Sequence, residues 1–119
     1  MEYRIHTVNN QNICELVSDS VIISNLQDTL DVLGNSNYLD SNKIIVNQNH
    51  LCPEFFDLKT KIAGDILQKF STYNVKLAII GDFDNITSKS LRDFIYESNK
   101  IGRIIFVKNR DIAIDKLTK

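Results

Sequence analysis

The sequence predicts one α/β domain over residues 1–119, an N-terminal antiparallel hairpin followed by alternating helices and parallel strands in a mixed sheet. Three observations carry this. The runs Lys43–Val46, Val75–Ile80 and Arg103–Val107 are almost continuously apolar, as strands covered on both faces must be. Between them lie two segments whose apolar residues recur at helical spacing. Ahead of them, two runs rich in Tyr, Ile, Val and Leu flank an asparagine-rich link.

Taken in order, residues 2–8 and 12–17 form the hairpin, because the intervening Asn-Asn-Gln-Asn tolerates positive φ. Val21–Ile23 is a further strand or a buried loop. Ser24 and Gln27 stand at capping-box spacing ahead of Leu26, Leu30 and Leu33, which places a first helix from about Asn25 to about Asn37, with Gly34 inside the pattern. Leu58, Ile62, Ile66 and Phe70 recur every four residues, turning Lys59, Lys61, Asp65 and Lys69 outward, and Asp57 opens this second helix. The third helix contains Leu91, Phe94 and Ile95, starts after Thr87-Ser88-Lys89-Ser90 and is closed by Gly102. Asn109 caps a last helix from about Arg110 to Leu117. Right-handed crossovers gather Asn47–Asp57 and Gly81–Ser90 at the C-terminal strand ends, where open α/β sheets hold their ligands.

Composition narrows the function classes. A chain of 119 residues, 43% hydrophobic and 24% charged, can bury one core without disulfides or metals. Its 14 basic and 15 acidic side chains give a net charge of -1, so no global field draws it to nucleic acid or an anionic membrane. The lysines are interspersed with acids rather than set in a basic stripe with stacking aromatics, so no nucleic-acid partner is expected. Cys14 and Cys52 lie far apart, with no CxxC pair and no ligand-spaced histidines, which argues against a zinc site or a disulfide framework and for reduced thiols. The N-terminus lacks the order of a signal peptide, and no apolar run approaches the roughly 20 residues of a membrane span. A cytoplasmic protein with no membrane partner, no metal and no cofactor is the expectation.

The strand-end segments hold the candidate site residues. Asp57 is either the cap of the helix after it, accepting from the N–H of Lys59 or Thr60, or a phosphoacceptor or Mg²⁺ ligand joined by Asp82 and Asp84. A phosphoryl-receiving site adds a paired acidic cluster after the first strand and a lysine at a late strand end, which this sequence does not display. Asp82 and Asp84 read equally as turn residues bonding local backbone. Thr87, Ser88, Lys89 and Ser90 offer hydroxyls, an ammonium and free N–H groups, an anion cradle in form, while Ser90 and Asp93 also satisfy capping-box spacing. His50 and Cys52 are too close in sequence, and lack a third orienting group, for a nucleophile and base. His6 falls on a sheet face, and Cys14 is packed. On the third helix, Arg92, Tyr96 and Asn99 share a side away from Leu91, Phe94 and Ile95; they are either a binding face or a solvated face with one incidental aromatic. No catalytic constellation emerges.

The element order, with Asp57 in the Phe55-Phe56-Asp57-Leu58-Lys59-Thr60 junction, resembles the STAS domain of anti-sigma-factor antagonists and sulphate transporters. In that family the junction reads hydrophobic, hydrophobic, Asp, Ser, Ser or Thr, Gly, and the Ser after the Asp is phosphorylated by a partner kinase. Here Leu58 replaces that Ser, so the phospho-switch does not carry over. More narrowly, FFDLKTKIAGDILQKF, VKLAIIGDF and TSKSLRDFIYESNK are similar to a small bacterial family catalogued as a domain of unknown function. The resemblance implies a non-enzymatic regulatory or interaction module that binds a protein, another one or a second copy of itself. The alternative is a small-molecule or nucleotide-binding domain using the rim of Asp57, Asp82 and Thr87–Ser90.

Overall fold

The hairpin is closed by Asn9 and Asn10 alone, at φ 53° and 62°, a two-residue turn whose twist suits the strands it joins. In this computed structural model, which describes residues 1–119, those strands are β1 (Glu2–Val8) and β2 (Gln11–Val17). They are followed by α1 (Leu26–Tyr38), β3 (Lys43–Asn47), α2 (Ile62–Thr72), β4 (Lys76–Ile80), α3 (Lys89–Ile101), β5 (Ile104–Val107) and α4 (Arg110–Leu117). The five strands lie in chain order, β1 antiparallel to β2 and all later neighbours parallel. No helix is long and apolar enough to cross a membrane.

Strand order equal to chain order has a geometric consequence. Each β-helix-β step moves the same way along the sheet, and right-handed crossovers then put every connecting helix on one face. The core shows this division. Val32 and Leu33 of α1, Ala63, Ile66 and Phe70 of α2, and Leu91 and Ile95 of α3 pack with Cys14, Leu16, Ile44, Val46, Leu77, Ile79, Ile104 and Phe106. On the other face Ile13, Ile45, Ala78, Ile105 and Val107 are covered by Ala113 and Leu117 of α4 alone. The continuous apolar runs are thus explained: alternate residues of each strand face different helices.

Helix ends follow local chemistry and correct several expectations. The cap of α1 is Asn25 rather than Ser24, its side chain accepting from the N–H of Asp28 at 2.8 Å. Ser24 and Asp28 make the return contact, since the Asp28 carboxylate accepts from the Ser24 N–H and hydroxyl. The last turns of α1 and α2 are closed by Asp40 and Asn74 in the left-handed region, where the Ser41 and Val75 N–H groups reach back to the Ser36 and Phe70 carbonyls. The second helix starts four residues later than Leu58, at Ile62. The cause is a tight turn, Leu58–Thr60, in which the Thr60 hydroxyl donates to the Glu54 and Asp57 carbonyls and Lys61 then takes φ 64°. For α3 the cap is Ser88, which accepts from the Leu91 N–H, and not Ser90. Asn109 caps α4 as the sequence indicates. Val21–Ile23 contributes one bridge, Ile23 to Leu51, with Ile23 buried and Val21 exposed.

A polar cluster around one buried carboxylate ties the two ends of the chain together. Glu15 of β2 is 3% exposed; one of its oxygens lies 2.6 Å from His6 Nε2 of β1 and the other accepts from Arg110 Nε of α4 at 3.0 Å. Gln11 Nε2 also donates to the Thr118 carbonyl.

Candidate functional site

Beyond the C-terminal ends of β3 and β4 the chain makes two loops, 48–61 and 81–88, and their conformation decides what the site offers. The first is held by His50, buried to 2%: its Nδ1 accepts from the Asn47 N–H and its Nε2–H donates to the Ser18 carbonyl. The sequence considered His50 only as a catalytic partner of Cys52, yet the ring acts as a structural clamp. Cys52 is buried with its Sγ near the Ser24 carbonyl. The second loop passes close to the first at Gly81, where a side chain would collide with Gln48 and Phe83.

Beneath both loops runs a row of aromatic rings. Phe55 meets Phe56 edge to face at 5.1 Å, Phe56 lies 6.4 Å from Phe83, Phe83 meets Phe106 at 5.3 Å, and Phe106 meets Phe94 at 6.1 Å. Aromatic contacts at these distances and tilts add attraction beyond simple burial. The row links the turn after β3, the loop after β4, strand β5 and helix α3. Its sequence signal was present, in Phe83 next to two acids and Phe56 next to Asp57, but phenylalanines at helix and strand positions read equally as core.

Two hollows open along this row. One, of about 540 Å³, lies between the 56–59 turn and the start of α3 and is lined by Phe56, Asp57, Leu58, Lys59, Ser88 and Ser90. Three of the predicted residues, Asp57, Ser88 and Ser90, therefore line one cleft. The other, of about 270 Å³, lies between the loop after β4 and α4 and is lined by Asp82, Asp84, Lys108 and Lys116 together with Phe83 and Phe106. The structure thus separates Asp57 from Asp82 and Asp84, and no three acidic, His or Cys side chains gather as a metal-binding group.

Most of these polar groups are engaged in shaping the backbone. Asp57 Oδ1 accepts from the Lys59 N–H at 3.2 Å, Asp82 Oδ1 accepts from the Asp84 N–H, and Ser88 caps α3. Arg92 spans back to the Ile86 and Thr87 carbonyls and so holds the loop from the α3 side. Asn99 departs further from expectation: its side chain accepts from the Phe106 N–H at 2.7 Å and donates to the Phe106 carbonyl at 3.3 Å, tying α3 to the edge of β5. Of the expected face Arg92, Tyr96 and Asn99, the Tyr96 side chain alone makes no hydrogen bond and stands 67% exposed. Lys89 pairs with Asp93 on the surface.

The sequence model of one family, Domain of unknown function (DUF4180), matches residues 8–117. No curated protein and no solved structure matches the chain.

Proposed function

Because the chain belongs to the DUF4180 family, a domain of unknown function that spans nearly its whole length, we propose that it is a non-enzymatic regulatory or interaction module, STAS-like in fold, that binds a protein partner at the strand-end cleft. The single observation that carries this reading is the apolar floor of Phe56 and Leu58 under a polar rim. Apolar aromatic surface ringed by polar groups is the anatomy of binding hot spots. Phe56 and Leu58 floor the cleft, Asp57, Lys59, Ser88 and Ser90 rim it, and Tyr96 stands exposed further along α3. Asp57 and Ser88 there hold backbone turns, which supports positioning of a surface over acid-base chemistry.

Binding on this reading is constitutive. Leu58 stands where STAS domains carry the phosphorylated Ser, and the Thr60 hydroxyl is already bonded to two carbonyls. Two free, buried thiols suit a reducing bacterial cytoplasm as the setting.

The test is affinity capture on the purified domain, identification of the bound protein, and titration calorimetry with that protein purified. Leu58→Glu and Tyr96→Ala, neither of which removes a hydrogen bond, are expected to weaken binding by about 2 kcal/mol or more with unchanged circular dichroism. Full affinity in both variants would reject the cleft. A rise in melting temperature with nucleotide or small anions, abolished by Lys59→Glu, would instead favour the small-ligand alternative at the same rim.

A further inference from the structure

The two edges of the sheet are treated differently, and the difference points to an occupant for one of them. On the β5 edge, the groups that face away from β4 belong to Ile104 and Phe106, since Leu77 and Gly81 take the Arg103 and Val107 carbonyls. Three of those four outward groups are met by α3: Ser98 Oγ donates to the Ile104 carbonyl at 2.6 Å, and the Asn99 amide exchanges both bonds with Phe106. An amide that donates to and accepts from one residue mimics a neighbouring strand, so this edge is closed.

The β1 edge has no such cover. The two-residue turn at Asn9-Asn10 makes Val8 and Gln11 a hydrogen-bonded pair, and alternation then points the N–H and C=O of His6, Arg4 and Glu2 toward β2. The backbone groups of Tyr3, Ile5 and Thr7 therefore face outward along a seven-residue strand that contains no proline. Ile5 adds apolar surface, being 37% exposed.

We propose that two copies of the chain pair antiparallel along β1 with Ile5 on the two-fold axis, joining their sheets into one. Self-complementarity selects both the partner and the register. About this axis Ile5 meets the partner's Ile5 and Tyr3 meets the partner's Thr7, an apolar pair and an aromatic with β-branched pair of the kinds that stabilise sheets. On the other face Glu2 lies opposite the partner's Val8 and Arg4 opposite the partner's His6, with Glu2 diagonal to the partner's His6. Moving the axis to Arg4 would set two guanidinium groups directly against each other, and moving it to His6 would put Tyr3 opposite the partner's Asn9, in the turn beyond β1. The proposal does not depend on what the strand-end cleft binds.

Sedimentation velocity of the full chain over a wide concentration range tests it. The expected result is twice the chain mass, falling to a single chain in Ile5→Lys, which puts two ammonium groups on the axis yet leaves every β1 to β2 hydrogen bond intact. A wild-type monomer at all concentrations overturns the proposal, as does a dimer that survives Ile5→Lys in a folded protein. Should that variant fail to fold, cross-linking decides: Glu2→Cys and Val8→Cys chains mixed under mild oxidation should form a mixed disulfide, while either alone should not. No preference for the mixed pair would equally refute this register.

Discussion

Cys14 is a thiol with 0% exposure, and burial pushes its pKa up to about 11, against a smaller opposing effect of the hydrogen bond with Ser36. The sign for stability follows. Between pH 9 and 11 the unfolded chain releases the Cys14 proton while the folded chain keeps it, so stability is present below pH 9 and falls as pH rises through that window. The expected loss is about 2–3 kcal/mol from a shift of roughly two pH units. Urea unfolding at pH 8 and pH 10.5 checks it: Cys14→Ala should remove that part of the alkaline loss, and an identical slope in both proteins would contradict it. Glu15 is the second residue whose environment sets its effect. Arg110→Met leaves the buried carboxylate with His6 alone, and since Arg110 is half exposed the expected cost is about 1–3 kcal/mol in the urea midpoint at neutral pH. That Cys14 is packed and His6 lies on a sheet face was legible from strand alternation. The His6, Glu15 and Arg110 contact was not, because a partner 95 positions away has no local signature.

Among the elements, α3 shows most directly where sequence reasoning stops. Its limits were readable from Gly102 and from the Leu91, Phe94 and Ile95 spacing, yet Asn99 read as part of a binding or solvated face with Arg92 and Tyr96. Helical spacing gives the angle of a side chain, not how close the edge of the next strand lies. Similarly, Leu58 extended the stripe of α2 backward in perfect period, and the Thr60 hydroxyl overrode it by bonding carbonyls that a helix would need elsewhere. Asn99→Ala is expected to destabilise by about 1–2 kcal/mol, since it strips two bonds from Phe106. Hydrogen exchange at the Phe106 amide should accelerate in that variant, and unchanged protection would show the bond to be dispensable. Lys43 and Lys76 are directly paired across β3 and β4. Burial and then the Lys76 charge lower the Lys43 pKa. Lys76→Glu replaces repulsion with attraction and should stabilise by about 0.5 kcal/mol, read as a higher melting temperature.

For the whole molecule, the α/β class, the hairpin and the succession of elements were all present in the apolar runs and turn residues. The unequal cover of the two sheet faces was not, because composition of strands alone says that both faces are buried without saying by what. Three helices share one face, and the eight-residue α4 serves the other. Deleting residues 109–119 should therefore expose Ile13, Ile45, Ala78, Ile105 and Val107 together, giving strong binding of a hydrophobic dye or outright precipitation. A soluble, dye-silent truncation would show that α4 is not needed as cover. The same asymmetry has a meaning in time. As the polypeptide leaves the ribosome, each new strand finds its neighbour already made, so the face under α1 to α3 can assemble in step with synthesis. The opposite face stays open until residues 110–117 have cleared the exit tunnel, and it is in that interval, not in the finished protein, that chaperones have the most apolar surface to hold.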